Sequence, residues 1–238
     1  DDTRIARSIS RETFVAGHKP ASIETKAARS IASGKIIGWF QGASAMGPRA
    51  LGDRSILADP RDPGMRDHLN VQVKHREPFR PYGASVLEEK ASEFFVTAEA
   101  CPYMTFAVQV RHDQAHRIPA VVHVDGSCRI QTVNRADNPR FHRLLEEFHA
   151  LTGIPLLVNT SLNGAGEPIV ETPEDALRLF LNLQLDSLVL GDHWIDRRLS
   201  SRTGSLMELM DYRLLFEREL ELVERRAADG TWECLARP

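Results

Sequence analysis

Residues 138–168, NPRFHRLLEEFHALTGIPLLVNTSLNGAGEP, decide the fold. Asn138 is an N-cap residue and Pro139 suits the first helical position. Phe141, Leu144, Leu145, Phe148 and Leu151 recur at helical spacing until Gly153 stops the pattern. Ile154–Val158 then reads as a short buried strand, and it runs into a polar loop, NTSLNGAGEP. A helix followed by a buried strand and a polar loop is the unit of a sheet with helices packed on it.

The same alternation continues on either side. Thr172-Pro173 starts a second helix running to about Leu183, with Leu177, Phe180 and Leu181 inward. Ser187–Leu190 reads as a final strand. Towards the N-terminus, Ser22–Ser33 reads as a helix stopped by Gly34, and Lys35–Phe40 as a buried strand. Ser55–Asp59 is a further strand, residues 63–76 are helical, and Tyr82–Leu87 is a strand. Met104–Val110 and Ile118–Val124 read as strands, the latter with Pro119 at its start or edge. Asp125-Gly126 signals a turn, and Arg129–Val133 alternates as a hairpin's second strand should. The fold class is α/β (α+β), a twisted mixed sheet with flanking helices. Residues 1–21 are polar and read as a loose lead-in, 22–200 as the main domain and 201–238 as a helical extension. Within the extension, residues 204–226 carry Leu206, Leu209, Met210, Leu220 and Val223 on one side of a charged helix. That stripe either packs on its own domain or docks a partner.

Bulk properties exclude some function classes. The chain has 238 residues, 42% hydrophobic and 26% charged, with a formal net charge of −3. Nothing there favours sequence-independent binding to nucleic acid or to a membrane. Cys101, Cys128 and Cys234 are widely spaced without a Cys-x-x-Cys pair, so a disulfide framework is not expected and a reducing cytoplasm is. The chain opens at Asp1 rather than Met, which reads as a cut N-terminus, with no charged-then-apolar leader.

Two segments carry candidate chemistry. Between Gly42 and Arg80 lie Arg49, Arg54, Lys74, Arg76 and Arg80, several of them in a Gly/Pro loop after a strand. Guanidinium forks and backbone N–H groups there suit phosphate oxygens, or the arginines pair with the interleaved aspartates on the surface. No Walker A loop or Gly-x-Gly-x-x-Gly is present. Asn159-Thr160-Ser161-Leu162-Asn163 sits at the carboxyl end of a buried strand, where ligands bind in α/β sheets; it either binds one or ties off its own turn. His112, His116 and His123 fall in a polar connector with no second ligand pair, so no metal site is expected in this chain.

Seven stretches, in order, resemble the C-terminal domain of the NodU/CmcH-type O-carbamoyltransferases: GKIIGWFQG, GPRALGDRSILADPRDPGMRDHLN, VKHREPFRPYGASV, PYMTFAV, IPAVVHVDGSCRIQTV, LLEEFHALTGIPLLVNTSLN, and GEPIVETPEDAL ending in LVLGD. The resemblance implies a YrdC-like fold with an open basic cavity. It implies that carbamoyl phosphate and ATP, with Mg²⁺, yield carbamoyladenylate. A separate, iron-bearing N-terminal partner domain then passes the carbamoyl group to an acceptor hydroxyl. Arg49, Lys74, Arg80 and Arg129 match basic residues that hold the phosphate and carbamoyl groups. Arg54, Arg76, Asn159, Thr160, Ser161, Asn163 and Glu167 fall at the substrate and nucleotide positions. The chain departs from the family at Ala43–Met46, where an Arg-x-Glu-Phe run is usual. Leu162 stands in place of Phe, Ala165-Gly166 where a basic residue is common, and RPYGAS in place of RPFAPS. These losses leave two alternatives beside catalysis: a nucleotide-binding module that docks a partner, or an adenylating domain for another carboxylate.

Overall fold

The computed structural model describes residues 2–44, 47, 49–97, 99–198, 221–226 and 232–237. Residues up to Arg197 form one compact unit. Its nine-stranded sheet comprises β1 (Val15–His18), β2 (Ile37–Phe40), β3 (Arg54–Ala58), β4 (Gly83–Leu87), β5 (Ala107–Gln109), β6 (Ser127–Val133), β7 (Leu156–Ser161), β8 (Ser187–Leu190) and β9 (His193–Arg197). The spatial order is β1-β9-β8-β2-β3-β7-β4-β6-β5. The pairs β2–β8 and β4–β6 are parallel and the rest antiparallel, so the sheet is mixed, as the sequence predicts.

Among the described residues, four helices of more than a turn or so start and stop on the expected signals or on tertiary contacts: α1 (Asp2–Arg11), α2 (Ile23–Ala32), α5 (Pro139–Thr152) and α6 (Pro173–Asn182), with one-turn α3 (Met65–His68) and α4 (Ala91–Phe94) between them. The Asn138 side chain accepts from the Phe141 N–H, and Gly153 closes α5 in the left-handed region at φ 72°. Thr172 and Asp175 form a reciprocal capping box on α6. Phe141, Leu144, Leu145 and Phe148 of α5 are fully buried with Ala27, Ala28 and Ile31 of α2 in the core.

Several sequence expectations change. Residues 1–21 are no loose lead-in: α1 buries Ile5, and Ser8 Oγ donates to Glu174 Oε1 of α6 at 2.6 Å while Val15 is fully buried in β1. The anchoring contacts are more than 150 residues away in sequence, which no local pattern reveals. Ile118–Val124 is not a strand; Pro119–Val121 is a 3₁₀ turn, and β6 takes its antiparallel partner from β5. Pro119 has no N–H to give a ladder. Asn159–Ser161 belongs to strand β7 rather than to a loop, and β9 follows the supposed final strand.

Residues 198–238 form a second unit. Most of the helix expected at 204–226 lies outside the described residues. Its last part, Glu221–Arg226, is instead strand β10, paired antiparallel with β11 (Trp232–Arg237). An Asp-Gly turn signal at Asp229-Gly230 in the sequence between them favours a hairpin over a helix. Among the described residues no helix is long and apolar enough to cross a membrane.

Candidate functional site

Because β7 is antiparallel to both β3 and β4, and β4 is parallel to β6, the carboxyl end of β7 meets the amino ends of β3, β4 and β6. Asn159 pairs with Gly83, and Ala84 with Ile130, which brings Arg129 beside both. The segments entering β3 and β4 carry Arg49 and Arg76. Together they enclose a cleft of about 100 Å³, walled by Arg49, Arg76, Tyr82 and Arg129 with Asn159, Thr160 and Ser161 on the strand end. Gly83 is required here: an added Cβ would sit 2.9 Å from the Arg129 carbonyl oxygen and 3.1 Å from the Met104 sulfur.

The cleft is cationic without compensation. Among the described residues no carboxylate lines it, and Arg49, Arg76 and Arg129 form no ion pair. Burial lowers the Arg129 guanidinium, and the like charges of Arg49 and Arg76 lower it further. Two buried polar atoms around the cleft, Arg129 Nε and Asn159 Oδ1, have no hydrogen-bond partner among the described residues. Buried polar groups are normally paired, so a cluster of unpaired ones in one cleft fits a ligand. The first is able to donate to an anion; the second, a carbonyl, accepts. Arg76 is fixed by donating from Nε to Asn70 Oδ1 at 2.8 Å and by stacking 4.7 Å above the Tyr82 ring. The Tyr82 phenol is pushed up to about 12 by burial, against the opposing charge of Arg76.

Other expected residues are turned elsewhere. Lys74 is buried, and its ammonium donates to Ser161 O, to Asn163 O at 2.9 Å and to Asn163 Oδ1 at 2.8 Å. All three donors are thus committed to the strand end after β7, so Lys74 holds that segment and does not line the cleft. Burial, helped by Arg76, pulls its pKa down to about 7. Arg54 is also buried: its guanidinium lies 3.5 Å from the Phe40 ring centroid and donates to the carbonyls of Gln41 and Asp53. Arg80 is exposed, just before the cleft residue Pro81. Asn163 accepts from Ser161 Oγ at 2.7 Å and donates to Glu167 O at 2.7 Å, while Glu167 lines a separate pocket with Glu171 and Arg178. Of the departures from the family pattern, Ala45 and Met46 lie outside the described residues.

Sequence reasoning missed Tyr82, Gly83 and Met104, and it missed Ser85 and Gln131 beneath Asn159. A signal for Ser85 existed, since it is a polar residue inside an otherwise apolar, fully buried strand; Gln131 stands in a strand that also carries Ser127, Arg129 and Thr132, so nothing singles it out. His123 is bonded within the fold, to Ser127 Oγ and Tyr82 O at 3.2 Å each, and among the described residues no group of three His, Cys, Asp or Glu is placed to hold a metal.

Residues 28–197 match the family model described as carbamoyltransferase C-terminus. Among curated proteins, nodulation protein NolNO of Sinorhizobium fredii is 47% identical over 182 residues, covering 75% of this chain and 27% of that protein. Nodulation protein NolO of Bradyrhizobium diazoefficiens is 46% identical over 182 residues, covering 75% and 33%. The 3'-hydroxymethylcephem-O-carbamoyltransferase of Amycolatopsis lactamdurans is 39% identical over 168 residues, covering 71% and 32%. The chain therefore spans about a quarter to a third of the length of the curated relatives it matches. Among solved structures, T. kodakarensis HypF superposes with a TM-score of 0.49 at 15% identity, covering 78% of this chain and 23% of that one.

Proposed function

Since the chain belongs to the carbamoyltransferase C-terminus family, we propose that its arginine-walled cleft activates a carbamoyl group by joining it to adenylate. Carbamoyl phosphate and water give carbamate and inorganic phosphate. A carbamate oxygen then attacks the α-phosphorus of ATP, the bond to the β-phosphate breaks, and pyrophosphate leaves behind carbamoyladenylate. The second step places two anions in contact, and both leave anionic products together, which is the charge problem that fixed guanidiniums solve.

One observation carries this reading: three uncompensated arginines share a cleft with an unpaired donor on Arg129 and an unpaired acceptor on Asn159. An acyl phosphate bearing an amide matches both. Its phosphate oxygens accept from Arg49, Arg76 and Arg129, and its N–H₂ donates to Asn159. Thr160 and Ser161 supply hydroxyls at the same strand end, and Lys74 keeps that end in place. Mg²⁺ entering with ATP would be held by the nucleotide's own phosphates, since among the described residues the cleft lining offers no carboxylate. Transfer to an acceptor hydroxyl falls to a partner domain outside this chain, and iron, where it takes part, belongs there.

The test is pyrophosphate release from ATP by the purified chain, with and without carbamoyl phosphate, beside Arg129→Ala. Release that requires carbamoyl phosphate and is lost in the variant is expected. A folded chain that neither binds carbamoyl phosphate nor releases pyrophosphate, alone or with the rest of the protein restored, would overturn the proposal.

A further inference from the structure

The amide of Asn159 is oriented from behind by a chain of hydrogen bonds that ends on two backbone carbonyls. Gln131 Nε2 donates to Leu51 O at 2.8 Å, and a carbonyl only accepts, so Gln131 must present its own oxygen inward. There Gln131 Oε1 accepts from Ser85 Oγ at 2.7 Å and from Asn159 Nδ2 at 3.3 Å. Asn159 Nδ2 also donates to Ser85 Oγ at 2.8 Å and to Ala50 O at 3.2 Å. Turning the Asn159 amide over would set its oxygen against two acceptors, Ala50 O and Gln131 Oε1. The atom left over is therefore the oxygen, in a residue only 2% exposed that lines the cleft.

Resting on the proposal that carbamoyl phosphate binds in this cleft, we infer that Ser85 and Gln131 are positioning residues. They hold Asn159 as an obligate acceptor, and Asn159 thereby selects an acyl phosphate with N–H₂ over one with a methyl group. Carbamoyl phosphate and acetyl phosphate present the same phosphate to Arg49, Arg76 and Arg129 and differ only at that group. A methyl there leaves Asn159 Oδ1 buried and unpaired, and specificity built on an unmet polar partner is stronger than specificity built on size.

The experiment measures calorimetric binding of carbamoyl phosphate and acetyl phosphate to the full chain, without ATP, and reads the ratio of the two affinities. That ratio does not move when a variant merely lowers the folded fraction. The wild type should prefer carbamoyl phosphate by about 10- to 100-fold, the range of one unpaired buried polar group. Asn159→Leu should bring the preference within about twofold. Ser85→Ala with Gln131→Leu removes two of the three acceptors that orient the amide and should cut the preference several-fold, with Ser85→Ala alone as the milder variant should the pair fail to fold. Equal wild-type affinities would overturn the selectivity while leaving carbamoyl phosphate-dependent pyrophosphate release standing. A preference lost in Asn159→Leu but untouched in both Ser85 variants would overturn the positioning role. Binding of neither acyl phosphate, with no pyrophosphate release, would overturn the function and this inference together.

Discussion

Gly52 joins the arginine loop to the core, and its replacement by alanine is the most severe single-methyl change the site admits. It lies at φ +99°, and an added Cβ would fall 2.2 Å from Phe141 Cδ1, 2.6 Å from Cγ and 2.8 Å from Cε1. Carbon atoms in contact rest at about 3.5 Å or more, so the ring would have to retreat by roughly 1 Å. It has nowhere to go: Phe141 is fully buried in the first turn of α5, and its N–H is tied to the Asn138 cap. The unfavourable backbone region costs about 1–3 kcal/mol. Overpacking adds about 1–3 kcal/mol, so Gly52→Ala should lose roughly 2–6 kcal/mol of folding stability. Against the usual 5–15 kcal/mol, that is a large share. Urea unfolding followed by the fluorescence of buried Trp39 and Trp194 measures it. In a Phe141→Ala background the steric part disappears, so the two changes should couple by about 1 kcal/mol or more. A loss below about 0.5 kcal/mol, or the same loss in both backgrounds, would refute the reasoning, because surface substitutions of no consequence fall in that range. The carbonyls of Ala50 and Leu51 anchor Asn159 and Gln131, so the same variant should also weaken anion binding in the cleft.

Other outcomes follow from where the cations sit. Arg49→Ala and Arg76→Ala should each weaken pyrophosphate binding by about tenfold or more, whereas exposed Arg80→Ala should change it less than about threefold; the reverse ranking by calorimetry would contradict the cleft. Arg54→Ala should instead lower the urea midpoint, since its guanidinium serves the carbonyls of Gln41 and Asp53. For Lys74 the folded pKa, about 7, lies below the exposed value of 10.5. The unfolded chain therefore keeps a proton that the folded chain has released, and stability should rise with pH across that interval. The rise should be absent from Lys74→Met, and a wild-type-minus-variant difference that stays flat with pH would refute it. Cys128 is fully buried, which pushes its thiol up to about 12. At pH 8 it should stay unalkylated in the folded chain and react only on unfolding, as mapped by peptide mass spectrometry.

Much of the main unit was legible because its signals are local. Asn138-Pro139 and Gly153 bound α5, Thr172-Pro173 opens α6, and apolar runs mark β2, β4 and β8. Residues held by distant partners were not legible. The polar run around α1 says nothing of Glu174, and the apolar run after Ile118 says nothing of the 3₁₀ turn that replaces a strand. The site divided along the same line. Arg49, Arg129, Asn159, Thr160 and Ser161 meet in one cleft with Arg76, while Lys74, Arg54 and Glu167 do not line it.

Caps, periodicity and ordered motifs are properties of neighbouring residues, and they suffice for the mixed α/β class, the family and the set of cations from which a site is built. Which cations act together emerges from packing across the sheet. That choice depends on strand register: β7 lies between β3 and β4, with β6 beyond β4, so the chain segments around Arg49, Arg76 and Arg129 converge on Asn159. The same packing turns the equally basic Lys74 and Arg54 onto backbone carbonyls. A charge in a sequence has no direction until the sheet supplies one.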